Sequence, residues 1–385
     1  MAENKEKKVL NVPNLRFPEF EGEWEEHYLS DYLDFKNGLN PKPERFGKGI
    51  KFISVMDILN NAVITNDCIR ASVDVSEEEL LSFCVENGDI LFQRSSETLE
   101  DVGRANVYMD NKPAVFGGFV IRGKKKAEYD PLFFRYLLAS PFARKKIIPM
   151  GAGAQHFNIG QEGLNKVKLH FALLDEQKKI ARLLSLLDER IATQNKIIDK
   201  LQSLIKGLRV HLTQKTDGYI VYLSEIAKIY QPQTISLSEF TEEGYLVYGA
   251  NGIIGKYREY NHRTEQICIT CRGNTCGMVN YTKPKSWITG NAMIVNTDDY
   301  QDKICKRYLY HYLSTYNFNS IISGSGQPQI VRSPLEKLKV KLPAILKQKQ
   351  IATFLDKLQN QIEINNNILH LYLQQKQYLF RQMFI

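Results

Sequence analysis

Two stretches of the chain carry apolar residues spaced mostly by alternating threes and fours. In the first they are Ile180, Leu183, Leu187, Ile191, Ile198, Leu201, Leu208 and Leu212; in the second, Ile351, Phe354, Leu358, Ile362, Leu369, Tyr372, Leu379 and Met383. This is a heptad seam, and it predicts two helices that pair along it. Helical from Leu174 to Leu212 and from Lys347 to Phe384, each would be on the order of 57 Å long at ~1.5 Å per residue. Each seam is interrupted once, by Gln194 and by Asn365. The expected pairing faces are therefore Leu183, Leu187, Ile191, Gln194 and Ile198 against Phe354, Leu358, Ile362, Asn365 and Leu369. Meeting in one layer, the two amides can hydrogen-bond each other and penalise slipped registers. The apolar residues off the seam, among them Leu184, Ile197, Leu355 and Ile368, are expected to meet partner helices.

The seams are the clearest part of a repeat that runs through the chain. Tyr28-Leu-Ser-Asp31 matches Tyr222-Leu-Ser-Glu225, and Gly88-Asp-Ile-Leu-Phe-Gln-Arg94 resembles Glu265-Gln-Ile-Cys-Ile-Thr-Cys-Arg272. Phe116-Gly-Gly-Phe-Val-Ile121 parallels Thr289-Gly-Asn-Ala-Met-Ile294, and a Gly-x-Gly loop starts at Gly151 in one half and at Gly324 in the other. The offset drifts from 194 residues at the start to 171 at the helices, so loop lengths differ while the helices match without gaps. The expected fold is α+β: two pseudo-symmetric globular domains separated by two long antiparallel α-helices forming a coiled coil, the antiparallel sense following from a pseudo-two-fold axis through the amide layer. The boundaries read as an N-terminal arm at 1–23, a first domain at 24–170, a central spacer helix at 171–215, a second domain at 216–343 and a C-terminal spacer helix at 344–385.

Composition narrows the function. At 385 residues the chain exceeds one core, and 43% hydrophobic with 24% charged residues is ordinary for a globular protein. No run of 18 apolar residues is present and the start, Met1-Ala-Glu-Asn-Lys-Glu-Lys-Lys, is charged, so no membrane partner and a cytoplasmic location are expected. The formal net charge of +8 favours an anionic partner. Six cysteines without a secretory segment read as thiols. Cys268, Cys271 and Cys276 near His262 lack a second ligand pair, and the first half has no equivalent cysteines, so no metal site is expected. Catalytic signatures are missing: no dinucleotide fingerprint, phosphate loop, Asn/Asp-Pro-Pro-Tyr/Phe tetrapeptide or zincin motif occurs.

Two heads on a rigid spacer suit a bipartite duplex, because a duplicated reader imposes a fixed spacing between half-sites. Candidate DNA-contacting residues in the first half are Arg94, Ser95, Ser96, Arg104, Gly151, Gly153, Gln155, His156 and Asn158. In the second they are Arg272, Asn274, Thr275, Asn291, Gly324, Gly326, Gln327, Gln329 and Arg332. Arginine can pair with guanine O6 and N7, Asn or Gln with adenine N6 and N7, and glycine lets backbone approach a phosphate. Lys124-Lys-Lys126 and Arg144-Lys-Lys146 are further phosphate candidates.

The opening Val12-Pro-Asn-Leu-Arg-Phe-Pro-Glu-Phe20 with Trp24, the two heads, the Gly-x-Gly entries, and the paired Glu176-Gln-Lys-Lys-Ile-Ala181 and Lys347-Gln-Lys-Gln-Ile-Ala352 helix starts together resemble the specificity subunit of type I restriction-modification systems. The resemblance spans nearly the whole chain. It implies two target-recognition domains, each reading half of a split DNA site, and helices that dock two methylating subunits. Restriction subunits would then complete a nuclease. It also implies a chain without catalysis or cofactor of its own, with S-adenosylmethionine, Mg²⁺ and ATP on the partners. The second helix stops at Ile385 with little tail, which departs from longer family members.

Overall fold

The computed structural model describes residues 10–324 and 326–385; the charged start Met1–Val9 and Ser325 of the second Gly-x-Gly loop lie outside the described residues. The chain divides into two compact units, Met1–Thr193 with Leu369–Ile385, and Gln194–Ile368. The division passes through the middle of both long helices, so each unit contains a globular head and half of each helix. Among the described residues, no helix is long and apolar enough to cross a membrane.

The heads share a plan. In the first, an antiparallel sheet runs in the order Leu33–Asn37, Val120–Lys125, Ile90–Gln93, Ala105–Val107. A second sheet sets Phe46–Ile53 between Ser72–Val73 and Ala114–Phe116, the last running parallel to it. In the second unit the corresponding orders are Lys228–Tyr230, Ala292–Asn296, Ile267–Thr270, Val279–Tyr281, and Gly252–Tyr257, Tyr245–Gly249, Trp287–Ile288. Ile90–Gln93 and Ile267–Thr270 are buried at every residue, which is why they read as continuous apolar runs rather than alternating ones. Each head is closed by a two-stranded ribbon, Glu25–Tyr28 with Lys168–Phe171 and Tyr219–Tyr222 with Lys339–Leu342, whose second strand feeds a long helix.

The helices span Leu174–Gln214 and Ile345–Gln382. Neither contains an internal proline, and the seam residues supply the apolar stripe that stabilises so long a helix. In the first unit Lys376 Nζ donates to Asp188 (2.5 Å), and Ile180, Leu184 and Leu187 share a core with Leu379, Met383 and Phe384. In the second, Gln194 Nε2 donates to Asn365 Oδ1 (2.6 Å) and O (3.0 Å), and Arg209 donates to Gln359 (2.9 Å). Numbers rise along one helix as they fall along the other, so the pairing is antiparallel in each unit. In the first turns Leu184 and Leu355 are fully buried, whereas Leu183 is half-buried and Phe354 is 46% exposed. The first turns of each helix face the head's core, and that packing sets the phase there. For the same reason Leu184 and Leu355 are not available as outward partner faces. Ile191, Leu358 and Leu369 are half-buried; Leu187, Ile198 and Ile362 are buried.

One duplicated contact ties each head to its helix. Gln177 Nε2 donates to Ala172 O (2.8 Å) while its Oε1 accepts from the backbone N–H of Asp130 (3.1 Å), the residue capping the helix Pro131–Ala139. Gln348, 171 residues on, repeats this with Pro343 O (2.8 Å) and the N–H of Cys305 (2.9 Å), which precedes Lys306–Leu313. The glutamine of the paired Gln-x-x-Ile-Ala helix starts is thus a buried bridge that satisfies an orphan helix-end donor in both heads. The arm is present only in the first unit. There Arg16 forms two 2.8 Å bonds to Glu176, and Trp24 packs edge-on to Phe133 and Phe384.

Candidate nucleic-acid interface

In each head a short polar segment leaves the end of the most buried strand and pairs with the Gly-x-Gly loop. In the first unit the Arg94 N–H donates to Phe119 O (2.9 Å) and the Arg94 carbonyl accepts from the Ile159 N–H (2.9 Å). Ser95 and Ser96 then pair antiparallel with Asn158 and Phe157, and the Ser95 hydroxyl bonds the Asn158 side chain. In the second unit the Cys271 N–H donates to Asn291 O (3.0 Å), the Cys271 carbonyl accepts from the Ile330 N–H (3.0 Å), and Arg272 bridges to Gln329. Ala152 and Asn158 exchange both backbone bonds (2.9 and 2.8 Å), as do Ser323 and Gln329 (2.8 and 2.8 Å).

This hydrogen-bond frame fixes which positions correspond. Ser95 stands where Arg272 stands, Asn158 where Gln329 stands, His156 where Gln327 stands, and Phe119 where Asn291 stands. Arg94 thus answers to Cys271, as the paired segments starting at Gly88 and Glu265 imply, whereas setting Gly151 against Gly324 is off by two residues. The turn glycines that correspond are Gly153 (φ +145°) and Gly324 (φ +90°), where an added Cβ would lie 1.9 Å from the His156 carbonyl oxygen and 2.5 Å from that of Gln327. An L side chain at either position is strained in the backbone and blocked in space. Gly153→Ala and Gly324→Ala are each expected to cost about 1–3 kcal/mol in loop geometry. DNA affinity should fall through one half-site only, and the melting temperature should drop by the few degrees that this cost implies; a duplex-binding titration with matched melts checks this.

The remaining candidates are distributed unevenly. Gln155, His156, Asn158, Arg272, Asn274, Asn291, Gly324, Gly326, Gln327 and Gln329 are exposed, and Ser95, Ser96 and Thr275 half-buried. Arg94 turns its guanidinium to the Gly118 carbonyl (3.3 Å). Arg104 is paired with Asp101 (2.6 Å) and lines a separate cavity with Arg135, Arg144 and Lys376. Arg332 opens a short helix, paired with Glu336 (2.7 Å), and Gly151 is half-buried in a turn against Val102. Of the basic clusters, Arg144 points inward to the carbonyls of Glu100 (2.9 Å) and Val102 (2.6 Å), and burial beside Arg104 pushes its pKa down to about 10. Lys124 is paired with Glu86 (2.7 Å), and Lys125 donates to the Tyr129 carbonyl (3.3 Å). Burial pushes the Cys268 thiol up to about 12 and raises those of Cys271 and Cys276, which disfavours the thiolates a metal needs. Among the described residues no group of three or more His, Cys, Asp or Glu could hold an ion. Phe119 was not among the sequence candidates, because an aromatic in an apolar run reads as core, yet it is 68% exposed beside Ser95.

The chain matches the family model for the type I restriction modification DNA specificity domain twice, over residues 21–203 and 219–371. The MjaVIII type I restriction enzyme specificity subunit of Methanocaldococcus jannaschii is 24% identical, aligned over 94% of this chain and 91% of its own. The EcoprrI specificity subunit of Escherichia coli is 34% identical over 37% of this chain and 36% of its own. Among solved structures, the S subunit of a type I restriction-modification system from M. genitalium superposes with a TM-score of 0.66 at 16% identity, covering 97% of this chain and 99% of that one. A chain from a structural study of type I system assembly and conformational transition gives 0.57 at 14% identity, covering 93% and 96%. The two copies of the domain model coincide with the two heads and their helices, and the chain belongs to the family of type I restriction-modification DNA specificity subunits.

Proposed function

We propose that each head reads one half of a bipartite, asymmetric DNA target and that the chain hands this reading to partners that perform the chemistry. The observation that carries the reading is the duplicated frame with unlike side chains: Ser95 and Asn158 in one unit occupy the places of Arg272 and Gln329 in the other. A common frame with different base-pairing groups is what two different half-sites require. Arg272 suits the O6 and N7 of a guanine, and Asn158 and Gln329 suit the N6 and N7 of an adenine. As the family likeness implies, the helices together with DNA bending set the gap between the half-sites. Exposed apolar residues on them, such as Ile197, Leu204 and Leu371, give two methylating subunits a place to dock. Restriction subunits join that assembly in the cytoplasm, and S-adenosylmethionine, Mg²⁺ and ATP are held by the partners.

This division of labour is physically economical. Flipping an adenine out of a duplex costs a few kcal/mol but needs no sequence knowledge if another chain sets the enzyme at the site. The test is turnover: the purified chain alone with duplex DNA and S-adenosylmethionine, or with Mg²⁺, is expected to methylate and cut nothing, and with a methylating subunit it should direct methylation to a site of two short halves. Methyl transfer or cleavage by the chain alone would instead make it a self-sufficient enzyme.

A further inference from the structure

Beside the reading segment of the first unit lies a cavity of about 760 Å³, whose lining includes Phe46, Met56, Leu59 and Phe119 together with Ser95 and Ser96. Met56 is 59% and Phe119 68% exposed, and because both line one cavity they form a patch rather than scattered single residues. The second head repeats the arrangement by different means. The Gly117 N–H donates to Ile53 O (3.0 Å) and the Thr289 N–H to Tyr248 O (2.9 Å), so Ile53 and Tyr248 lie at the ends of equivalent strands. Past Ile53 the first head forms the helix Val55–Asn60, carrying Met56 and Leu59; past Tyr248 the second head makes a tight turn into Gly252–Tyr257, carrying Ile253 and Ile254. Those isoleucines are 54% and 45% exposed. The turn is tied to the reading segment, because the Ala250 carbonyl accepts from the hydroxyl of Thr270, two residues before Arg272. Two unrelated local structures thus follow equivalent strands and carry uncovered aliphatic side chains, and in the second head the turn before them is bonded to the strand that leads into Arg272.

We propose that these apolar groups are specificity determinants that take the C5-methyl of thymine. The inference rests on the DNA-reading role proposed above and extends it to the kind of base edge read. Ser95 and Ser96 share one cavity with Met56 and Phe119, so a base edge that meets the serines is within reach of the apolar wall. Of the base edges displayed in the major groove, thymine alone offers an apolar atom group there. Polar loop residues then read donors and acceptors while Met56, Leu59 and Phe119, or Ile253 and Ile254, separate thymine from the other bases.

The test uses the chain assembled with its methylating subunit on a duplex carrying its target, with each thymine replaced singly by deoxyuridine. This removes only the methyl group. In each half-site at least one replacement is expected to weaken binding about fourfold, the worth of one buried methyl group. In Phe119→Ser and in Met56→Ser, both at exposed positions, the uracil penalty should vanish in the first half-site and persist in the second; Ile253→Ser should do the reverse. Sequence-preferring binding with no uracil penalty anywhere would overturn the inference and leave the reading role intact. Loss of all sequence preference in the wild-type complex would overturn both. Variants that weaken association with the methylating subunit but keep the uracil penalty would assign the surface to a protein partner and also overturn it.

Discussion

Glu176→Ala is expected to destabilise the first unit by about 3–5 kcal/mol, the range for removing one partner of a buried ion pair. The Glu176 side chain has no solvent exposure and that of Arg16 only 14%. The carboxylate accepts from Arg16 Nε and Nη2 at 2.8 Å each and from Trp24 Nε1 at 3.3 Å. Truncation leaves a guanidinium anchored by the carbonyls of Gly22 (2.5 Å) and Glu21 (3.2 Å), without its counter-charge, and an indole N–H without an acceptor. Replacing both charges by apolar residues, Arg16→Met with Glu176→Leu, should recover most of the loss, because the penalty comes from the stranded charge rather than from the pair's net worth. Urea melts of the wild type, the single variant and the double variant check both statements, and a single-variant loss below about 1 kcal/mol would show that the arm does not depend on the pair. Lys347, at the equivalent place in the second repeat, is exposed, so its truncation should have little effect.

Arg272→Ala is expected to weaken binding of the assembled complex to its DNA target by about 1–3 kcal/mol, which is roughly 5- to 150-fold, and to relax the motif at one position of one half. Arg272 is exposed at the edge of the frame, next to Gln329, whereas Arg94 has its guanidinium on the Gly118 carbonyl and is replaced in the frame by Cys271. Arg94→Ala should therefore disturb the loop more than the base preference. In the first half the corresponding variants are Ser95→Ala and Asn158→Ala, which break their mutual hydrogen bond and should loosen the other half of the motif.

The long helices were legible because a heptad period held along the whole seam and recurred 171 residues later without a gap, down to the Gln194 and Asn365 layer. In the first turns the spacing rule fits Leu183 and Phe354 as well as Leu184 and Leu355, and which of them is buried most deeply is decided by a head folded from other parts of the chain. The heads were legible in plan but not in register. Loops of different length separate equivalent strands, and the recurring Gly-x-Gly pattern draws Gly151 onto Gly324 although the backbone hydrogen bonds set Gly153 there. The buried bridges of Gln177 and Gln348 lay within a recognised motif, yet their partners, Asp130 and Cys305, are 47 and 43 residues distant. Phe119 could not be read as a surface residue from an apolar run; only the pairing of its carbonyl with Arg94 brings it to the reading face.

The central claim is that two heads read two half-sites independently, and methylated adenines mapped across the DNA of cells co-expressing a methylating subunit with Arg272→Ala, or with Ser95→Ala and Asn158→Ala together, test it most directly. The expected result is a split motif in which the first variant degrades only one half, the second only the other, and the gap stays constant. A single undivided motif, or both halves changing in either variant, would contradict it.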